Sequence, residues 1–578
     1  MPLTDAHDFV ARLPAAPVYD LVVAGSGAAG MAAAIFAALN GSRVLLLERT
    51  EYVGGTSALS GGTTWVPLTR FLGDTETEDS PDKVMRFLDA AVGEHSPRAM
   101  RETFLKAGPD AIHTLVDQTE VQFRACAYHP DYMADLDGFT VNGRALEPLP
   151  YAANHLGKNL KLLRPPIPEF TVLGGMMVNR ADINQLLKRY RSPRSFLYTV
   201  SLVLRYWRDR LVHGQAARSV MGHALIARML ASALKQGVDI SINTDMTQLQ
   251  TDDTGAVSAV TIRQGPETRT VKVRGGVILA GGGFGRDPEK RHTLYPAGIG
   301  DYSPTAPGST GQEHEQALAL GAYLGEQGDQ PAFWAPCSVR RRKDGSTAVF
   351  PHFVFDRSKP GTLCVDQQGR RFVNESLSYH EFGKAQFNGG DSTHPAWIVC
   401  DAAAIACYGL GMVRLGGDDV RPYLADGYLL SGATLAELAG RMGVDAVNLE
   451  AAVAQMNEAA RTGEDTLFQR GSTVYQRVNG DADHGPNPTL GPLVQAPFYA
   501  VKLYPCDIGS ARGLVGDTDA RLLRRDGSVI GGLYACGNDL DSIMGGKYPG
   551  PGITIGPGIV FGYLAARHAS QRAREQVQ

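Results

Sequence analysis

The sequence predicts an α/β fold, and three stretches carry that prediction. The chain opens with a strand, a glycine turn and a helix: Asp20-Leu-Val-Val-Ala-Gly25-Ser-Gly27-Ala28-Ala29-Gly30 runs into the Ala-rich residues 31–39. A second apolar strand, residues 44–48, ends on Glu48 with Arg49 beside it, about 20 residues beyond the glycines. A third, Gly275-Gly-Val-Ile-Leu-Ala-Gly281-Gly282-Gly283-Phe284, is apolar and breaks into glycines, as a parallel strand does at a ligand edge.

Each part of the opening unit has a physical job. Gly25 permits the tight turn. Gly27 puts no side chain in front of a pyrophosphate, which sits on the positive N-terminus of the helix entered by Ala28 and Ala29. Gly30 lets helix and strand approach closely, and Glu48 accepts hydrogen bonds from a ribose. The glycine triplet alone is a weak signal. Strand, helix and acid in register make it a strong one, and the unit reads as a dinucleotide site.

The 578 residues leave room for two or three domains with large cores. Hydrophobic content is 43% and charged content 20%, the balance of a soluble globular protein. A net charge of −4 gives no reason to expect a nucleic-acid partner. The seven cysteines are scattered, none in a C-x-x-C pair, and no histidine cluster has metal-ligand spacing. Reduced thiols, a cytoplasmic location and no metal are therefore expected. Residues 1–8 are polar and show no signal-peptide pattern, and no window reaches ~18 uninterrupted apolar residues.

After Glu48 comes Gly54-Gly55-Thr56-Ser57-Ala-Leu-Ser60-Gly61-Gly62-Thr63-Thr64-Trp65, rich in glycine and small hydroxyl residues. Such a loop suits a flat ring system and its phosphate arm. Near the C-terminus, Ile530-Gly-Gly-Leu-Tyr-Ala-Cys-Gly537-Asn538 is another strand that breaks at glycine, and a final helix starts near Ile555 and Gly556.

These segments together resemble the FAD-binding flavoproteins of the fumarate reductase superfamily. The resemblance implies a Rossmann-like FAD-binding domain assembled from residues 1–297 and 497–578, with an α+β substrate domain inserted at 298–496. Superfamily members with covalent flavin attach it through a histidine. The loop 54–65 has none, so non-covalent FAD is expected.

Within the first segment, residues 187–236 read as an added helical stretch broken at Pro193. It sets apolar residues beside Arg189, Arg191, Arg194, Arg205, Arg208 and Arg210. A basic amphipathic segment of this kind lies on anionic lipid or packs on the flavin domain with its arginines solvated. Residues 435–462 have a 3.6-residue apolar period and read as two surface helices.

Three places carry chemistry. Lys547-Tyr548-Pro549-Gly550-Pro551-Gly552 is a stiff turn with little side chain, and it offers one phenol and one backbone N–H in fixed geometry. Gly369-Arg-Arg-Phe-Val-Asn374-Glu375-Ser-Leu-Ser-Tyr379-His380 resembles the fumarate reductases up to Asn-Glu, where they go on to an arginine for a dicarboxylate. Here Tyr379 takes that place, and no arginine stands between Arg371 and Arg414, which argues against a dicarboxylic acid. A tyrosine acts as a base only where neighbours stabilise its phenolate; His380 reads as its structural neighbour. The third place is Tyr128-His129-Pro130-Asp131-Tyr132, ahead of Gly143-Arg144-Ala-Leu-Glu147. Each tyrosine has a plainer reading as a packed aromatic.

Together these sites resemble the 3-ketosteroid Δ1-dehydrogenases, a family that uses three tyrosines and a glycine amide. The family's Tyr-Pro-Gly-Pro-Gly matches residues 548–552 outright, and its Asn-Glu-Ser-x-x-Tyr matches Tyr379. Its Asp-Tyr loop matches Tyr132 more loosely. The resemblance implies that Tyr548 and the Gly552 N–H hold the ketone oxygen, that Tyr379 removes the α-proton, and that Tyr132 orients Tyr379. The β-hydride would pass to flavin N5 from the opposite face, and an external acceptor, a quinone or another carrier, would reoxidise the flavin. The substrate would be a lipophilic ketone. Close alternatives are desaturation of another cyclic ketone of the cyclohexanone type, and a ketosteroid dehydrogenase acting at the Δ4-(5α) bond.

Overall fold

The computed structural model describes residues 5–6, 17–190, 192–415 and 419–577. Most of the N-terminal stretch read for a targeting signal, and Arg191 of the basic segment, lie outside them. Two sheets organise the chain. The first has a parallel core in the order Asp239–Ser241, Val44–Leu47, Val18–Ala24, Glu267–Leu279 and Val529–Ala535. Its central strands are nearly continuous apolar runs, and all of Val44–Leu47 is buried, because helices cover the faces that an antiparallel sheet would leave wet. An antiparallel extension, Asp245–Thr251 and Val257–Gln264, runs off Glu267–Leu279.

The two ends of the chain complete one layer. The helix Ala28–Leu39 carries the terminal helix Ile555–Glu575, and the rings of Phe36 and Tyr563 meet edge-on at 4.9 Å. Close approach is enforced by glycine: a Cβ on Gly562 would lie 2.9 Å from the Ala29 carbonyl oxygen, and one on Gly275 only 2.2 Å from that of Ala569.

The second sheet is antiparallel in the order Thr347–Pro351, Ala332–Arg341, Phe498–Ser510, Ala396–Cys400 and Thr362–Val365, with Leu430–Gly432 also on Phe498–Ser510. Alternate residues of Ala396–Cys400 enter different cores. Ile398 and Cys400 join Phe382 and Val501, while Trp397 and Val399 join Leu438 and Leu449. The helices Leu435–Met442 and Ala446–Thr462 cover that second face, where the apolar period of 435–462 expects two helices.

Two boundaries differ from the sequence reading. Phe498–Ser510 lies at the heart of the second sheet, so the chain returns to the first sheet after residue 510 rather than near 497. The added helical stretch also stops earlier than residue 236. The helix Met221–Lys235 is buried from Gly222 to Leu234 and packs beside Ala28–Leu39. Its apolar content belongs to the nucleotide-binding core.

What leaves the core is the pair Arg180–Leu187 and Pro193–His213. Ser192 caps the longer helix by accepting from the Ser195 N–H at 3.4 Å, with Pro193 in the first turn, where a missing N–H costs nothing. Tyr206 anchors it to the Leu173 carbonyl at 3.0 Å. Its outer face leaves Leu197 67%, Leu204 64%, Trp207 50% and Leu211 87% exposed. No described helix is long and apolar enough to cross a membrane.

Candidate active site

The cofactor cleft is made of backbone. Gly25 has φ +112°, and a Cβ there would lie 2.1 Å from the Ala280 carbonyl oxygen. A Cβ on Gly30 would lie 2.0 Å from that of Gly25, which is the close helix–strand contact the third glycine allows. At Gly27 a Cβ would meet only the Ser57 hydroxyl, at 3.7 Å, so space stands open before the helix N-terminus. That hydroxyl accepts from the Ala28 N–H at 3.1 Å. Gly55 lies across from Gly27, with a Cβ distance of 3.4 Å to its Cα, and Thr56 accepts from the Ala306 N–H at 2.9 Å. Gly61 and Gly62 follow, Gly62 with φ +71° against the backbone of Gly222.

Glu48 is buried at the end of its strand. Its carboxylate accepts from the Thr50 N–H at 2.9 Å, the Thr50 hydroxyl at 2.7 Å and the Ser26 hydroxyl. Arg49 turns away from it and engages Thr310, Gln312 and Asp245. Across the cleft, the Gly281 and Gly283 N–H groups donate to Asp539 at 2.5 and 2.8 Å, and His314 Nε2 meets the same carboxylate at 3.0 Å. Burial pushes neighbouring Glu313 up to about 7, with Arg49 pulling against it. Gly282 faces Ser309, and Gly537 has φ +63° with its Cβ position against Ala29. Asn538 and the start of the terminal helix beyond Ile555 line a small, partly open hollow together with Phe333, Ser510, Ile553 and Thr554. Glycines without Cβ room, an open helix N-terminus and a buried acid at the strand end fit a bound dinucleotide.

The three tyrosines meet in one aromatic cluster. The Tyr132 and Tyr379 hydroxyls lie 3.4 Å apart. Ring centroids are separated by 5.1 Å for Tyr379–Tyr548 and 5.7 Å for Tyr132–Tyr548. Phe333 stands edge-on to Tyr548 at 5.2 Å, and Phe353 to Tyr379 at 5.0 Å. Tyr475, which nothing in its local sequence marks, lies 4.8 Å from the Tyr132 ring.

Each tyrosine is held by a different device. Tyr132 sits on a loop pinned by buried Asp131, which accepts from Trp65 Nε1 at 2.9 Å and pairs with Arg144 at 2.7 Å. Its own N–H donates to the Pro549 carbonyl at 2.7 Å, which ties this loop directly to the Tyr548 turn. Tyr379 opens the helix Tyr379–Gly389, whose cap Ser378 accepts from the Glu381 N–H at 3.3 Å. Gly552 is a glycine by necessity, with φ +90° and a Cβ position 2.2 Å from the Thr63 carbonyl oxygen. Among the described residues no carbonyl takes its N–H. His380 serves the fold: its Nδ1 accepts from the Trp334 N–H at 3.2 Å, and burial keeps it neutral by holding it at about 3.

Burial pushes the Tyr379 phenol well above its ordinary 10.0, and the neighbouring Tyr132 and Tyr548 push the same way. Burial also raises Tyr548, against the opposing pull of the Tyr379 and Thr554 hydroxyls. Tyr132 is raised by burial and then by Tyr475 and Tyr548. The cluster is therefore neutral near pH 7 when it stands alone. The positive N-terminus of the helix that Tyr379 begins opposes this.

The FAD binding domain family matches residues 20–555 of the chain. The chain is 37% identical over 559 residues to 4-oxocyclohex-2-ene-1-carboxylate 5-dehydrogenase of Sinomonas cyclohexanicum, covering 96% of this chain and 94% of that protein. It is 35% identical over 562 residues to 3-oxosteroid 1-dehydrogenase of Mycolicibacterium smegmatis, covering 95% and 96%. The crystal structure of 3-ketosteroid delta1-dehydrogenase from Sterolibacterium denitrificans in complex with 1,4-androstadiene-3,17-dione superposes with a TM-score of 0.89 at 31% identity, covering 96% of this chain and 99% of that one. The chain belongs to the FAD binding domain family and is an FAD-dependent oxidoreductase with the fold of the ketosteroid dehydrogenases.

Proposed function

We propose that this protein desaturates a ring ketone, removing two hydrogens from adjacent carbons beside the carbonyl, with the A ring of a 3-ketosteroid as substrate. The observation that carries this reading is the meeting of buried Tyr379 and Tyr548 with half-buried Tyr132 next to the cofactor cleft. The Tyr548 hydroxyl and the Gly552 N–H hold the ketone oxygen and stabilise enolate character at the α-carbon, each donor contributing about 3 kcal/mol. Tyr379, as its phenolate, takes the α-proton and becomes a neutral phenol, and the electrons of that C–H bond become the new double bond. Tyr132 donates to the Tyr379 oxygen while it is charged. Phe333 and Phe353 keep water from the reacting carbons. Gly25, Gly27, Gly30, Glu48 and the 54–62 loop would hold FAD non-covalently. When bound, FAD supplies the acceptor for the hydride that leaves the β-carbon. An external carrier, a quinone or similar, then takes the electron pair onward.

The test is anaerobic mixing of the purified yellow protein with androst-4-ene-3,17-dione. Bleaching of the flavin with formation of the 1,4-diene-3-one is expected. A second reading, dehydrogenation of a small ring ketone bearing a carboxylate, is favoured by the 37% identity to the oxocyclohexene carboxylate enzyme. Bleaching by such an acid but not by the steroid would replace the first reading with the second.

The helix Pro193–His213 is read as a contact with anionic lipid on the cytoplasmic side. Its exposed Leu197, Leu204, Trp207 and Leu211 stand among Arg194, Arg205, Arg208 and Arg210, the pattern of an interfacial helix. Co-sedimentation with vesicles containing phosphatidylglycerol should fall when Trp207→Glu and Leu211→Glu are combined. Equal pelleting of the variant and the parent protein would remove this contact from the reading.

A further inference from the structure

Arg357 is a fully buried cation that, among the described residues, has no carboxylate in ion-pair contact. Its Nε donates to the carbonyls of His352 at 3.0 Å and Phe353 at 2.7 Å, its Nη1 to that of Glu375 at 2.6 Å, and its Nη2 to that of Leu377 at 3.3 Å. The nearby acids are committed elsewhere. Asp356 holds His352 at 2.6 Å, while Glu375 holds Arg371 at 2.8 Å and Arg470 at 3.4 Å. A buried charge without a direct counterion is costly, and a fold keeps one where its field or its bonds are needed.

The residues that Arg357 grips frame Tyr379. Leu377 and Glu375 are the residues that lead into the helix beginning at Tyr379, and Phe353 packs edge-on against the Tyr379 ring. Tyr475, against the Tyr132 ring, feels the Arg357 charge, which pulls its phenol down against the larger upward push of burial. We propose that Arg357 is a positioning residue for Tyr379: its carbonyl fork fixes the segment that aims the phenol, and its positive field stabilises the phenolate that must stand there before the α-proton is taken. This rests on the desaturase reading. The groups that act on the Tyr379 charge are Tyr132 and Tyr548; in the surroundings, Tyr475 acts on Tyr132, Lys384, Lys547 and Asp329 act on neighbouring His380, and Asp356, which holds His352, and Glu375 act on Arg357.

The experiment separates charge from fork with two variants, each checked for FAD content and melting temperature. Arg357→Lys keeps the charge and gives up the planar fork; Arg357→Gln keeps a donor and gives up the charge. Removing a cation raises a nearby phenol pKa, so in Arg357→Gln the rising limb of kcat against pH should move to higher pH, with kcat at neutral pH about 10²-fold lower. Arg357→Lys should keep the wild-type limb and lose less in kcat. Two results would overturn the proposal: limbs unmoved in both variants with kcat within about threefold of wild type, or colourless, unfolded protein in both, which would make Arg357 a folding residue only. Failure of the wild-type protein to bleach with any ring ketone would instead sink the desaturase reading, and the two failures are distinguishable.

Discussion

The cofactor cleft and the phenol cluster sit side by side and are built in opposite ways. The cleft is made by what is absent. Gly25, Gly27, Gly30, Gly55 and Gly537 leave space or take up positive φ, and each of its runs is short in sequence. The cluster is made by what is present. Its phenol oxygens come from separate elements, and Tyr132 and Tyr379 are 247 residues apart. A backbone site tolerates most side-chain exchange and fails at its glycines, whereas a phenol site can lose its chemistry with one oxygen while its fold persists.

The largest effect should come from breaking the cleft alone. A Cβ at Gly27 meets nothing nearer than 3.7 Å, so Gly27→Val should fold, yet its side chain would fill the space before the helix N-terminus. The protein should purify colourless with a melting curve close to that of the wild-type apoprotein. Full flavin content per chain, measured by absorbance after denaturation, would show that the pyrophosphate lies elsewhere.

Breaking the cluster alone should leave the colour and remove the turnover. Tyr379→Phe should cost about 10²–10⁴-fold in kcat as the loss of a general base. Tyr548→Phe should cost about 10²–10³-fold as the loss of one oxyanion donor. If either variant turned over within a few-fold of wild type, that tyrosine would return to its plainer reading as a packed aromatic.

The smallest effect sharpens the comparison through pH. Burial raises the Tyr379 pKa above its ordinary 10.0, so its phenolate is scarce near neutrality and grows as pH rises. A rate that needs the phenolate must therefore climb with pH across the alkaline range, and the limb should vanish in Tyr379→Phe. FAD affinity, which draws on backbone N–H groups, should stay flat over the same range. A flat rate would mean that Tyr379 works as a hydrogen-bonded phenol.

How much could be seen beforehand follows from the same contrast. The glycine runs, the acid of Glu48 and the 548–552 turn are local, and each was legible because a few adjacent residues set its backbone sterics. Tyr475, Phe333, Phe353 and Arg357 carried no local signal, since their roles come from where distant elements bring them. Asp131, Trp65 and Arg144 were visible as residues, but not as the pin that joins two loops. The helix Met221–Lys235 falls, by sequence, inside the added helical stretch 187–236. Only its packing beside Ala28–Leu39 places it in the core.

By itself the sequence determined the dinucleotide cradle, the stiff donor turn and the kind of side chain available for chemistry. These depend on positive φ, missing Cβ atoms and proline rings, all of which act within a few residues. The tertiary structure alone decided that three phenols meet in one aromatic cluster, that a strand at 498–510 belongs to the second sheet, and that Leu211 and Trp207 face outward. Those outcomes depend on contacts across hundreds of residues, where the fold, and not the local chain, sets the distance.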